Sequence, residues 1–293
     1  MYHTLTSSSL AEKISERGGE LRSICSLRRA RELLWQGDDE IWNEQAPNLF
    51  PICGRLAGGR YRHQGVEYRL PIHGFLSQMM METIYADETH LLLCAEDTEQ
   101  TLSMFPFPFR LLIDYRLEED TLSVRFEVHK TGAAVLPFSI GAHPGFALPL
   151  ADGEDLSDCC LEFRDACKPK KLILTEGGLY NRRTEDFQLS SGRVLELNHE
   201  MFDAEESLFL TEIPDEVSFC SKRSGHGVTI RYHGFPYLGL WQRGGCRAPY
   251  LCIEPWIGTP DPEWEVEDIM QKPDVIHLPC GDRFCAEISY TFL

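Results

Sequence analysis

The segment TLSVRFEVHK, residues 121–130, decides the fold class because its apolar and polar side chains alternate without a break. Apolar residues occupy the even positions from 122 to 128, and polar residues stand between them. A period of two places one set on each face of a β-strand. The stretch LLIDYRL at 111–117 precedes it, and EED at 118–120 separates the two. The pattern therefore predicts a β-hairpin with one buried face.

Further strands follow from the same signal along the chain. FCAEISYTF (284–292) alternates over its whole length, and GVTIRYH (227–233) and SLFLTEI (207–213) are shorter segments of the same kind. Many short strands separated by turn signals are typical of sandwiches and barrels. Because the chain has 293 residues, this strand pattern predicts a large sandwich of antiparallel β-sheets.

Helical patterns are scarce in this all-β sequence. LAEKISER (10–17) predicts a turn or two of helix before Gly18, and EVEDIMQK (265–272) predicts a short helix that ends at Pro273. The 23 glycines and 17 prolines are spread along the chain rather than gathered in a linker. No composition shift marks a boundary, so residues 1–293 are expected to form a single domain.

The charge of the chain restricts its partners. The formal net charge is −18, which repels nucleic-acid phosphates and anionic membrane surfaces, so neither is an expected partner. An anionic small substrate stays compatible with this charge, because one or two local arginines can outweigh a screened distant field. The N-terminus lacks the apolar core of a signal peptide, and no stretch is apolar enough to span a bilayer.

The pattern of cysteines and the absence of several well-known motifs restrict the kinds of reaction that the protein can catalyse. The eleven cysteines are an odd number without a C-x-x-C pair, which indicates reduced thiols and a cytoplasmic protein. The sequence has no G-x-S-x-G, P-loop, G-x-G-x-x-G or H-E-x-x-H motif. It also has no H-x-H pair. We therefore expect no cofactor and no metal site.

Two polar residues stand directly before prolines at the ends of apolar runs. His143 lies in FSIGAHPGFALPL (138–150), and Glu254 lies in YLCIEPWIGTPD (250–261). Proline holds the residue before it in an extended conformation. A carboxylate at the end of a buried strand is costly unless it is paired or used. His143 and Glu254 are therefore candidates for an acid and a base that project into one cavity.

Three blocks in order resemble the aldose 1-epimerase (galactose mutarotase-like) family, and most closely its LacX-like bacterial branch. The blocks are LFPICGRL…YRLPIHGF (49–75), GAHPGF (141–146) and IEPW (253–256). The stretch ELLWQGDDEIWNEQAP (32–47) resembles the same branch. The resemblance covers most of the chain and implies one antiparallel supersandwich domain with a sugar cleft on one sheet.

The resemblance also implies a reaction and the residues that perform it. The reaction is the interconversion of the α and β anomers of an aldose or aldose phosphate. Glu254 would be the general base and His143 the general acid, while Arg55 and His73 would bind the sugar. For these roles Glu254 would be ionised and His143 protonated near neutral pH. Trp241 or Trp256 is a candidate for the aromatic ring that covers an apolar sugar face.

Each of these residues also has a structural interpretation. Taken singly, His143 fits a hydrogen-bonded core histidine, Glu254 an ion pair, and His73 and Arg55 residues of turns. Tryptophans usually fill the core of a sandwich. Two other functions stay open for the whole chain. One is a carbohydrate-binding or sugar-sensing protein without catalysis on the same fold. The other is a glycoside hydrolase, for which Glu254 lacks an evident carboxylate partner in the sequence.

Overall fold

Two large antiparallel sheets make up most of the computed structural model, which describes residues 1–203 and 205–293. The first sheet has nine strands, in the spatial order β18 (Val194–Glu196), β15 (Cys159–Phe163), β20 (Glu216–Ser221), β21 (Gly227–Arg231), β25 (Arg283–Phe292), β11 (Thr121–Lys130), β10 (Phe109–Glu118), β9 (His90–Glu96) and β8 (Glu82–Ala86). The second sheet has eight strands, with the order β17 (Tyr180–Asp186), β16 (Lys170–Leu174), β19 (Ser207–Thr211), β22 (Tyr237–Trp241), β23 (Tyr250–Ile257), β13 (Ile140–Ala142) and β5 (Asn48–Leu49), and with β14 (Gly145–Ala147) also paired to β23.

Smaller elements complete the fold. The remaining strands form a four-stranded sheet of β1 (Tyr2–Thr6), β2 (Leu10–Ser15), β3 (Leu21–Ser26) and β4 (Arg31–Glu32), and two pairs, β6 (Arg60–His63) with β7 (Val66–Arg69) and β12 (Leu136–Phe138) with β24 (Ile276–Leu278). The described helices are short: α1 (Glu99–Met104) and single 3₁₀ turns at Ala57–Gly59, Leu76–Gln78, Leu156–Asp158 and His199–Phe202. The all-β antiparallel prediction is confirmed.

The predicted hairpin is present. Strands β10 and β11 pair from Phe109↔Lys130 to Glu118↔Thr121, which leaves Glu119 and Asp120 as the turn. The buried positions of β11 are the even ones, as the alternation predicts. One hydrophobic cluster contains residues of both large sheets and extends from Leu5 to Phe292. The single-domain organisation over 1–293 stays a prediction, which this shared core supports.

Both predicted helices are wrong. Residues 10–15 form β2, which pairs with β1 on one side and β3 on the other and buries Leu10, Glu12 and Ile14 on one face. The segment 265–272 contains only a single turn, in which the Lys272 N–H donates to the Asp268 C=O. Backbone bonds between the Arg62 strand and residues 267 and 269 hold this segment extended before the turn. In both places tertiary pairing outweighs a weak local helix preference.

Candidate functional site

Strand β23 separates the hydrophobic core from a cleft. Leu251 and Ile253 point into the core cluster, whereas Cys252, Glu254 and Trp256 lie on the opposite face. This follows from the period of two in a β-strand, so the sequence YLCIEPWI places its carboxylate on the cleft face. On the neighbouring strand the partner of Glu254 is Gly239, which carries no side chain. The Phe209 ring occupies that space, because a Cβ atom at Gly239 would lie 2.5 Å from it.

His143 lies opposite Glu254, in the interruption between strands β13 and β14, which both pair with β23. Strands β13 and β14 both pair with β23, with Gly141 opposite Trp256 and Gly145 opposite Cys252. The register is the same on both sides of the gap, so the position opposite Glu254 is His143. Pro144 has no N–H for the ladder, but its carbonyl accepts from the Ile253 N–H at 3.2 Å. The imidazole is therefore fixed beside the carboxylate by its own backbone.

The two side chains form a buried pair that lacks ordinary hydrogen bonds. His143 Nε2 lies 3.3 Å from Glu254 Oε1, and the two residues are 8% and 1% exposed. Among the described residues, neither carboxylate oxygen and neither His143 Nδ1 nor Trp256 Nε1 has a hydrogen-bond partner of good geometry. Buried polar groups are usually satisfied, so this cluster of orphaned atoms at the floor of a cleft indicates a place for a polar ligand.

Burial changes where the proton of the pair resides. Burial raises the pKa of the Glu254 carboxyl well above its ordinary value, with a smaller opposing effect of the Trp256 indole. Burial lowers the pKa of His143 to about 4. Burial therefore shifts both groups towards a protonated Glu254 and a neutral His143, which is the opposite direction to the charged pair that the sequence argument expects. Both arrangements hold one proton between the two residues, and they differ only in its position.

His73 lies beside this pair in a constrained turn. Its ring centroid is 5.4 Å from those of both His143 and Trp256. Its Nδ1 accepts the Gly54 N–H at 3.1 Å, and its own N–H donates to the Gly54 C=O at 2.9 Å. Burial, and then the charges of His143 and Arg55, lower the pKa of His73 well below its usual value. With Nδ1 accepting in the neutral ring, Nε2 carries the hydrogen and is a donor.

Arg55 follows Gly54 in the same turn and is an exposed cation of the cleft wall. A Cβ atom at Gly178 would lie 3.5 Å from Arg55 Nε, so the guanidinium lies beside Gly178. No described carboxylate lies within ion-pair distance of it. The positive φ of 76° at Gly54 and its contact with Pro260 leave no room for a side chain there, which fixes the path of the turn.

Aromatic rings surround His143 on the other side. The Trp42 and Trp241 centroids lie 5.1 and 5.7 Å from the His143 ring, and 5.3 Å from each other. Both tryptophans are half-buried. Trp256 is 3% exposed and packs on Phe209 at 4.5 Å. Of the two tryptophans that the sequence argument names, Trp241 therefore offers more ring surface to a ligand.

All five predicted site residues line one cleft of about 870 Å³, a volume within the usual range for small-molecule sites. Arg55, His73, His143, Trp241 and Glu254 are thus brought together from distant parts of the sequence. The sequence argument missed Trp42, Glu44 and Arg243 and the glycine turn at 175–178, which line the same cleft. Trp42 and Glu44 lie in the stretch 32–47 that is quoted above for the family resemblance, but no local pattern marks them or Arg243 as cleft residues, because long-range packing places them there.

One group of described side chains has donor atoms spaced for a metal ion. The donor atoms of His143, Cys252 and Glu254 lie within 4.8 Å of one another, and this N, S, O set suits a soft divalent cation such as Zn²⁺. Burial, and then the charge of Glu254, raise the pKa of the Cys252 thiol well above its usual value. Because the thiolate is the ligand form, this shift opposes metal binding. The expectation of no metal site stays a prediction.

The chain belongs to the aldose 1-epimerase family, whose model matches residues 1–261. Protein LacX (chromosomal) of Lactococcus lactis subsp. lactis is 30% identical over 267 residues, which is 88% of each chain.

Two solved structures have the same fold. The galactose mutarotase related enzyme from Lactobacillus acidophilus superposes with a TM-score of 0.94 at 28% identity, over 100% of this chain and 97% of that one. A galactose mutarotase-like protein from Lactobacillus casei also gives 0.94, at 27% identity over the full length of both chains. Within the described residues, no helix has the length and apolar character needed to cross a membrane.

Proposed function

We propose that this protein is a mutarotase, an isomerase that interconverts the α and β anomers of an aldose. The observation that carries the proposal is the His143–Glu254 pair, 3.3 Å apart at the floor of the cleft, with polar atoms that lack partners among the described residues. Membership of the aldose 1-epimerase family supports it. Arg55 and His73 would bind sugar hydroxyls through donated hydrogen bonds, and Trp241 would cover an apolar face of the ring.

In each half of the reaction one proton passes from the sugar to the protein and another passes from the protein to the sugar. Glu254 takes the proton of the anomeric hydroxyl while His143 gives one to the ring oxygen, so the C1–O5 bond breaks and an open-chain aldehyde forms. After rotation about C1–C2, Glu254 returns its proton to the carbonyl oxygen and His143 removes the proton of the O5 hydroxyl. The ring closes on the other face, and no electrons are exchanged.

The one-proton state of the buried pair suits both halves of this cycle. The arrangement that burial favours, with the proton on Glu254 and a neutral His143, is the form that the pair would have after ring opening. A bound hemiacetal brings polar groups to atoms that otherwise have no partner, and these groups would stabilise the alternative arrangement with an ionised Glu254. Because Glu254 gains a proton as His143 loses one, the pair keeps its total charge, and the floor of the cleft does not acquire a net buried charge.

The charge of the cleft favours an aldose without a phosphate group. Its walls carry two guanidinium groups, Arg55 and Arg243, and Arg243 lies 3.7 Å from Glu206. The lining carboxyl groups are Glu44, Glu176, Glu205, Glu206 and Glu254. A phosphate adds a charge of about −1.5 to −2 at pH 7. Of the aldose and aldose phosphate that the family resemblance leaves open, we therefore choose the uncharged sugar.

Anomer exchange provides the test. Polarimetry on freshly dissolved α-glucose and α-galactose, with exchange NMR on the equilibrated sugars, should show acceleration over the buffer rate. The 6-phosphates of the same sugars should be accelerated at least about tenfold less, since roughly 1.4 kcal/mol of repulsion corresponds to this factor. No acceleration across a panel of aldoses and phosphates would refute the mutarotase.

The second candidate is a sugar-binding protein without catalysis. It is favoured by the half-buried tryptophans around His143, which suit binding whether or not a proton is transferred. Calorimetric binding of a monosaccharide together with an anomer exchange rate equal to that of buffer would select this function instead.

A further inference from the structure

A second buried ion pair lies behind the cleft, outside the acid–base pair. Lys272 Nζ donates to Asp261 Oδ1, and the two residues are 5% and 0% exposed. A buried ion pair costs desolvation of both charges and seldom stabilises a fold more than apolar residues would. This pair therefore needs a further explanation, and the other hydrogen bonds of Asp261 supply it.

Asp261 holds the turn that carries Arg55 at several points. Its Oδ2 accepts the Ala57 N–H at 3.1 Å, and its own N–H donates to the Arg55 C=O at 2.8 Å. Its C=O accepts the Tyr180 N–H at 2.9 Å. Tyr180 begins the strand that follows the turn at 175–178, and the Arg55 side chain lies beside Gly178 of this turn. One residue thus joins the backbone of Arg55 to the segment that lies beside its guanidinium.

The same turn also holds His73. The Gly54 N–H donates to His73 Nδ1, which fixes the tautomer that leaves Nε2 as a donor. Gly54 in turn packs on Pro260, the residue before Asp261, where a Cβ atom would lie 2.6 Å from Pro260 Cγ. The contacts therefore form a continuous chain from Lys272 through Asp261 and the turn to both proposed sugar ligands.

We propose that Asp261, neutralised by Lys272, is a positioning residue that orients Arg55, and through Gly54 also His73, for binding the sugar. The proposal rests on the proposed function for its effect on the sugar. Lys272 provides the charge that allows a carboxylate to be buried at this point. The carboxylate provides the acceptor that Ala57 needs. Neither residue lines the cleft, so neither touches the sugar.

The experiment compares Asp261→Ala with Asp261→Asn and with Arg55→Ala. Asp261→Ala removes the acceptor for the Ala57 N–H and should raise KM about tenfold, with kcat changed less than about threefold. Asp261→Asn retains an amide oxygen at this position and should recover part of the loss. Arg55→Ala should raise KM similarly, and the double variant Arg55→Ala/Asp261→Ala should be little worse than Arg55→Ala alone.

A matched control separates positioning from a general loss of stability. Val128→Ala removes buried apolar volume in the nine-stranded sheet, away from the cleft, and should lower the melting temperature without changing KM. Independent multiplication of the Arg55 and Asp261 effects, or an unchanged KM in Asp261→Ala, would overturn the proposal. If Asp261→Ala does not fold, Asp261→Asn still tests the proposal, because a neutral amide oxygen is a weaker acceptor for the Ala57 N–H than the carboxylate. KM should then rise by a smaller factor than tenfold, and an unchanged KM in Asp261→Asn would overturn the proposal.

A second readout needs no sugar, so the two proposals can fail separately. Hydrogen exchange should show the Ala57 and Gly54 amides protected in the wild type and in Val128→Ala, and at least tenfold less protected in Asp261→Ala. If this loss of protection occurs but neither the wild type nor any variant converts a sugar, the proposed mutarotase function is refuted. The proposed role of Asp261 in positioning the turn then stands. Unchanged protection would refute the positioning itself.

Discussion

The two buried pairs of ionisable side chains, His143–Glu254 and Asp261–Lys272, are alike in depth and opposite in bonding. The side chains of the second pair hydrogen-bond each other, and Asp261 also binds three backbone groups of neighbouring segments. In the first pair the two side chains approach to 3.3 Å without a hydrogen bond of good geometry, and both Glu254 oxygens lack partners among the described residues. The Asp261–Lys272 pair holds neighbouring backbone segments in place. The His143–Glu254 pair keeps unused hydrogen-bonding atoms that a ligand can satisfy.

A third buried carboxyl group shows that missing partners alone do not define a site. Both oxygens of Glu12 are buried without hydrogen bonds to described residues, yet Glu12 lies on β2 between Leu5 and Ile24 and does not line the cleft. Burial raises its pKa to about 8, so the group is largely neutral at pH 7. The distinguishing feature of Glu254 is that its unpaired oxygens face a cleft.

The largest expected effect is the loss of anomer exchange when either member of the His143–Glu254 pair is replaced. Glu254→Gln or His143→Asn should each lower kcat for anomer exchange by about 10²–10⁴-fold, because each removes one partner of the proton transfer. Polarimetry and exchange NMR measure the rate. Glu12→Gln is the matched control, as it alters a buried unpartnered carboxyl outside the cleft and should retain wild-type activity. Equal rates in all three variants would contradict the assignment.

The next effect concerns the satisfied pair. Lys272→Met leaves the Asp261 carboxylate buried without its cation and should lower the free energy of unfolding by about 3–5 kcal/mol. Glu254→Gln should leave it unchanged or raise it, since it removes a buried group that has no partner. Urea denaturation of both variants gives the comparison. A smaller loss in Lys272→Met than in Glu254→Gln would show that the pairs have been assigned the wrong way round.

The pH dependence of the free energy of unfolding tests whether Glu12 is protonated in the folded protein. Between its ordinary value of 4.5 and its folded pKa of about 8, the folded chain keeps a proton that the unfolded chain releases. The stability from this group is therefore complete below pH 4.5 and declines as the pH rises, by at most about 1.4 kcal/mol per unit. Glu12→Gln should remove this decline, so its advantage over wild type should grow from pH 5 to pH 8 in urea titrations.

The smallest effect concerns the aromatic wall. Trp241→Phe reduces the ring area beside His143 and should raise KM about threefold to tenfold, with little change in kcat, since an aromatic contact contributes about 0.5–1.5 kcal/mol. Trp256→Phe, a change in the packed cluster with Phe209, should affect the melting temperature more than KM. A larger KM effect at Trp256 would reverse these two assignments.

The sequence predicts the features that depend on neighbouring residues. The alternation in β11 and β25 gives the antiparallel fold, and the period of two in β23 places Glu254 opposite in direction to Ile253. The helix expected at 265–272 does not form because the backbone of residues 267 and 269 bonds to Arg62, a distant partner that the local preference does not contain. Trp42 and Arg243 reach the cleft through contacts between distant segments, which no local pattern encodes.

The location of His143 between two half-strands has a consequence for redesign. Because β13 and β14 are each anchored to β23 in the same register, the backbone at residue 143 is determined by its flanks and not by the imidazole. We therefore expect that other reactive side chains can replace the imidazole without moving the backbone at this position. Lysine, tyrosine or cysteine at this point would meet the same carboxylate, so the scaffold is a starting point for engineering catalysts with different proton donors.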